Sequence, residues 1–157
     1  NNNGTISGTG TIQGSVLEDG KVAPGNSAGG LRIEGNLIKR RGKLKIELGG
    51  HRDKRMDRED SHHDFIDING DALLGGHLRV KLINDYILKP GKEHKIINIS
   101  GEQFGSFKNY DEGDLVQVKR HEGQKLFISY TGGNGNDVVL YTKDVRQSSA
   151  ADIVNTD

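Results

Sequence analysis

The sequence predicts an all-β fold: a β-solenoid, parallel and right-handed in the manner of a β-helix, ending in an antiparallel hairpin cap. A β-sandwich is the alternative. Three observations carry this. Of 157 residues only 32% are hydrophobic and 5% aromatic, while 23 are Gly and 2 are Pro. That profile is poor for a helical bundle and suits short strands, tight turns and a narrow interior of Val, Ile and Leu. Second, LRIEGN (31–36), FIDINGD (65–71) and INISGE (97–102) share the pattern apolar, any, Ile, polar, Gly, polar. Their glycines, Gly35, Gly70 and Gly101, lie about 30 to 35 residues apart, a period that signals stacked supersecondary units. Third, the stretch SYTGGNGNDVVLYT (129–142) places a Gly/Asn/Asp segment between two apolar, β-branched runs. Gly132, Gly133, Gly135, Asn136 and Asp137 supply the residues that tolerate a chain reversal, so this stretch reads as a β-hairpin.

Taken in order, residues 1–50 form the N-terminal part of the stack. Single aliphatics such as Ile6, Ile12, Val16, Val22, Leu31 and Ile33 are broken by Gly within a few residues, which gives short strands and turns. Such strands bury no face alone and suit rungs stacked about 4.8 Å apart. A second echo pairs GKLKIELGG (42–50) with GGHLRVKLI (75–83). Alternation puts Leu44, Ile46, Leu48, Leu78, Val80 and Leu82 on one face and Lys43, Lys45, Glu47, Arg79 and Lys81 in water. Residues 51–63 read as a charged loop, 64–142 as further rungs and the cap, and 143–157 as a polar tail or linker. The whole of 1–142 is one all-β domain.

Charge and cysteine exclude several functions. Twenty-two basic residues balance 22 acidic ones, so no global field favours nucleic acid or an anionic membrane, and polyanion binding needs a local patch. Cysteine is absent, which excludes disulfides and thiolate sites without assigning a compartment. No apolar run approaches the roughly 20 residues of a spanning helix, so no membrane insertion by this segment is expected. The first residue is Asn and no charged-then-apolar leader follows, so the chain reads as a piece of a longer parent.

The candidate sites each have a plainer structural reading. In 51–64, HRDKRMDREDSHHD, the imidazoles of His51, His62 and His63 stand among Asp57, Glu59, Asp60 and Asp64, ligand chemistry fit for zinc. Adjacent His62 and His63 point to opposite faces of an extended chain, and a solvated, charge-balanced loop is the reading carried forward. Gly132 to Leu140, with Asp137, matches one copy of the calcium-binding nonapeptide of β-roll proteins. Such rolls hold each ion between successive copies and only one is present, so a structural turn is preferred and no cofactor is expected, with calcium as the alternative. Ser27 in GNSAG lacks the second glycine and the strand-to-helix setting of a nucleophile elbow. Asp67, Asp71 and Asp114 could serve a polysaccharide-cleaving β-helix, but carboxylates on solvent-facing strands usually solubilise. His77, His94 and His121 read as surface residues. Tyr86, Tyr110, Tyr130, Tyr141, Phe104, Phe107 and Phe127 read as closing the end of a β core rather than as a sugar platform.

The ordered set VAPGNSAGGLRIEGN, KLKIELGG, DFIDINGDALLGGHLRVKL, GSF (105–107) and ISYTGGNGNDVVL resembles the C-terminal passenger module of bacterial autotransporter-like and related large secreted repeat proteins. The resemblance spans roughly 4–140, with Ala28-Gly29 where the family has Pro-Gly. It implies a β-helix-like segment of a secreted or surface-displayed bacterial protein, often preceding a membrane anchor. The family also keeps an Asp where Asp64 enters its strand, and a carboxylate there can accept backbone N–H bonds in an Asx-type turn. The expected function is therefore a non-catalytic capping and folding-nucleating segment, structural or adhesive. Its expected partners are the remainder of the parent chain and host or neighbouring-cell surface molecules or glycans, and not nucleic acid. A calcium- or zinc-binding module, or a glycan-binding or glycan-cleaving domain, is the alternative.

Overall fold

The computed structural model describes residues 3–25, 29–49 and 63–144. Among them are strands and turns and no helix. The first three strands, β1 (Thr5–Gly8), β2 (Gly10–Gln13) and β3 (Val16–Leu17), each start a different sheet. The next three, β4 (Lys21–Pro24), β5 (Gly30–Glu34) and β6 (Leu37–Ile38), lie parallel on them in the same order. Then β7 (Lys43–Leu48), β8 (Phe65–Ile68) and β9 (Ala72–Leu74) repeat the circuit. A fourth set follows: β10 (His77–Leu82), β11 (Glu93–Ile99) and β12 (Gln103–Gly105). The pattern then changes. After β13 (Leu115–Val116), the short β14 (Val118–Lys119) continues the first sheet in parallel. The hairpin of β15 (Leu126–Gly132) and β16 (Asp137–Tyr141) joins the second sheet antiparallel, through β16 on β11. The all-β class and the terminal hairpin are both present, and the parallel neighbours are unlike those of an antiparallel sandwich.

Alternation decides which side chains face inward. The two echoing segments pair in register, with Leu44 beside Leu78, Ile46 beside Val80 and Leu48 beside Leu82, all buried. In the second sheet Leu31 and Ile33 sit beside Ile66 and Ile68, and Ile66 and Ile68 beside Ile97 and Ile99. The three-fold repeat seen in the sequence is thus three neighbouring strands. Its glycines stack at one corner, where a Cβ on Gly70 would lie 2.5 Å from the Gly35 carbonyl oxygen, and one on Gly101 would lie 2.6 Å from that of Gly70. The polar residue after each glycine bonds to the neighbouring turn. Ser15 Oγ accepts from the Asn36 amide at 3.0 Å, Asn36 Oδ1 from Asp71 at 2.8 Å, and Asp71 Oδ1 from Glu102 at 2.8 Å. Glycine is needed here because the turns approach too closely for a side chain.

One inward position is charged. The residues after β3 and β6 continue the alternation, so Glu18 and Lys39 enter the interior, both essentially fully buried. Lys39 Nζ donates to the Gly20 carbonyl at 2.8 Å, and Glu18 accepts from the Gly20 amide. Burial pushes the Lys39 ammonium below its usual pKa, while Glu18 and Asp19 pull it back up. The reverse face of the third sheet carries apolar residues: Leu17, Ile38, Leu73 and Phe104 lie side by side in register, with Phe104 50% exposed.

Candidate functional site

The end of the stack at β11 and β10 is where the expected turn residues gather. Gly133 and Gly135 adopt φ of 57° and 110° in the turn 133–136, and the Gly135 amide donates to the Gly132 carbonyl at 2.9 Å. At Gly132 a Cβ would meet Val139 Cγ2 at 2.2 Å, so the bulged strand needs a bare backbone there. Asn136 Nδ2 donates to the Gly101 carbonyl, tying the turn to the glycine corner. Asp137 is 1% exposed: its Oδ1 accepts from the Ile99 amide at 2.8 Å and its Oδ2 lies 3.2 Å from Lys95 Nζ. Both carboxylate oxygens are therefore turned toward β11, and a calcium ion here would have to displace the Lys95 ammonium. Among the described residues no three or more His, Cys, Asp or Glu side chains converge as a metal site.

Aromatic rings close this end. Tyr130 on β15 donates its hydroxyl to the Tyr110 carbonyl at 2.7 Å and accepts from the Phe107 amide at 3.0 Å. Burial pushes its phenol up to about 12. The Tyr110 hydroxyl accepts from the Gln117 amide at 2.9 Å, and Phe107, Tyr110 and Tyr130 are all buried. The expectation that aromatics finish the core fits these three. It does not fit Phe104, which faces out on the third sheet, nor Phe127 and Tyr141, which stack at 5.8 Å on the hairpin's outer side under the Lys143 ammonium. On β10 the edge ahead of the residues paired with β14 is finished differently. The Asn109 side chain copies a strand backbone, its Oδ1 accepting from the Leu78 amide at 3.0 Å and its Nδ2 donating to the Leu78 carbonyl at 2.9 Å.

Asp64 lies at the entrance to β8 and accepts backbone N–H bonds. They are long-range bonds rather than those of a local turn: Oδ1 takes the Gly29 amide at 3.1 Å and Oδ2 the Glu47 amide at 2.8 Å. Burial raises its pKa to about 7 against the opposing pull of the two amides and Lys45, with Glu47 adding to the rise.

His51, His62 and Ser27 lie outside the described residues. His63 corrects the solvated-loop expectation at its C-terminal boundary. It is 1% exposed, bridges to Leu48, sets Nδ1 2.9 Å from the Asp64 carbonyl oxygen and packs edge-on against His94 with centroids 5.3 Å apart. His94 is likewise buried rather than superficial, because β11 turns it inward beside Tyr86. The pair is invisible in sequence because 31 residues separate two rings that adjacent strands bring together. Asp71 and Asp114 each bond a nearby backbone amide, of Glu102 and Asp111.

Comparison with protein-family models, with curated proteins and with solved structures finds no match to this chain.

Proposed function

We propose that this chain is a non-catalytic segment of a parallel β-solenoid in a secreted or surface-displayed bacterial protein, and that its last hairpin caps the stack. The carrying observation is the switch from parallel to antiparallel pairing at β11. Four strands of the second sheet stack in parallel, and β16 then lies antiparallel on the last of them. Parallel stacking leaves a row of unpaired amides and carbonyls at each end, a template for further strands. A terminal unit of different pairing occupies that row and stops propagation. Asp137 holds this unit on β11 and Tyr130 ties it to the turn 107–110.

The opposite edge supports the same reading. Ile6, Ile12 and Val16 on the first circuit are only partly buried, and β1, β2 and β3 have a strand on one side alone among the described residues. That edge suits continuation by the parent chain. Of the candidate catalytic carboxylates, Asp71 and Asp114 accept from the Glu102 and Asp111 amides and Asp67 lies in register with Arg32, which favours a scaffold over an enzyme. Removing residues 126–142 tests the proposal. The expected result is loss of a cooperative thermal transition by circular dichroism and self-association through the uncovered β11 edge. A shortened chain that stays monomeric and melts as the parent does refutes capping.

A further inference from the structure

We infer that the outer face of the first sheet binds an anionic polysaccharide, a polyuronate laid diagonally across its strands. Six cations, Lys21, Lys43, Lys45, Arg79, Lys81 and Lys119, line a groove of about 500 Å³ on this face. That volume falls within the range of about 300–1,000 Å³ usual for ligand sites. The chain as a whole has no net charge, so the groove is a segregation of charge and not a reflection of composition.

Register makes the segregation significant. Lys21 lies directly beside Lys43, Lys45 beside Arg79, and Lys81 beside Lys119, each pair on neighbouring strands. Like charges set opposite one another in a sheet destabilise it. The neighbouring sheet avoids this, placing Arg32 beside Asp67 and pairing Arg32 with Glu34 at 2.5 Å. On the basic face one carboxylate, Glu47, stands in register with Lys81. None of the six cations forms an ion pair within 4 Å among the described residues. A solvated surface needing only solubility would intersperse the signs; three like-charged pairs with one carboxylate in register among them fit an anion that arrives from outside.

Geometry selects the class of anion. Within each pair the cations stand one strand spacing apart, about 4.8 Å, a step comparable to the advance of one pyranose ring carrying one carboxylate, and each successive pair lies one strand up and two residues along. Lys45 and Lys81 are half-buried, the burial expected of long side chains whose stems cover apolar surface while their heads stay in water. Single-stranded nucleic acid is disfavoured because it relies on exposed rings for base stacking. The groove's one aromatic, Tyr110, is buried and its hydroxyl is engaged by the Gln117 amide.

The test is fluorescence-polarisation titration of the 157-residue chain with labelled polygalacturonate, with neutral dextran and oligodeoxythymidylate of matched charge alongside. Polygalacturonate is expected to bind best, weakening roughly tenfold or more between about 50 and 200 mM salt. Lys45→Gln with Arg79→Gln should reduce affinity about tenfold, while Arg32→Gln on the neighbouring sheet changes nothing. Because the double substitution relieves repulsion, it should melt no lower than the parent. Should it fail to fold, Lys21→Gln with Lys43→Gln removes another pair and must give the same loss. Absence of polygalacturonate binding at low salt, equal binding of dextran, or full binding by the folded variants overturns the inference. Equal or tighter binding of the oligonucleotide overturns it in favour of a nucleic-acid surface.

Discussion

The two ends of the stack differ in how their last side chains are covered. At the hairpin end Leu126, Ile128, Val138 and Leu140 are fully buried, and Asn109 and Asp137 occupy backbone groups that would otherwise face no strand. At the first circuit Ile6, Ile12 and Val16 belong to the same core yet stay partly exposed. The first strands, TISG, GTIQ and VL, carry fewer apolar residues than LFISYTG and DVVLY of the hairpin, and they also have a neighbour on one side alone among the described residues. The covered row is met by side chains that imitate a neighbour, whereas the first row shows only the alternating pattern.

Truncations of side chains should reproduce this asymmetry. Ile128→Ala opens a cavity in covered core and is expected to cost about 4 kcal/mol, whereas Ile12→Ala removes half-covered area and should cost about 1 kcal/mol. Urea midpoints at unchanged slope measure both. Equal losses would erase the distinction between the ends.

Between the ends, Asp64 should impose a pH dependence. Its folded pKa, about 7, exceeds the ordinary 3.8 of the unfolded chain. The native state therefore holds more protons in that interval. Stability from this group is complete below about pH 4, declines as pH rises, and is lost above about pH 7, by about 2–4 kcal/mol in total. Denaturation across that range should show the fall, and Asp64→Asn should flatten it. A parent whose stability rises steadily from pH 4 to 7 contradicts the assignment.

Asn109→Ala sharpens the comparison at the β10 edge. It strips partners from the Leu78 amide and carbonyl and should lower stability by about 1–3 kcal/mol. Hydrogen exchange at the Leu78 amide should quicken, while that of Leu44 on the covered strand beside it should not. Uniform quickening would mean that Asn109 holds the whole stack rather than its edge.

Much of this was legible in the chain. The repeat glycines Gly35, Gly70 and Gly101 marked one corner, because close stacking admits no Cβ there, and strict alternation in 42–50 and 75–83 announced paired strands. The hairpin was legible for the same reason, since few residues other than Gly and Asn take its turn. The buried Glu18 and Lys39 were not, because single charged residues after short apolar pairs look like solvated turn residues. Nor were the His63–His94 contact, or the functions of Asn109 and Asp64, all of which depend on partners from distant segments.

Local pattern thus determined the class of structure, the period of the repeat and the place of its last turn, because sterics and alternation act between near neighbours. Lateral register was decided only by the tertiary structure. It sets Lys45 beside Arg79 and Asp137 beneath the Ile99 amide, since the free energy of such pairs depends on distances across strands that no stretch of sequence contains.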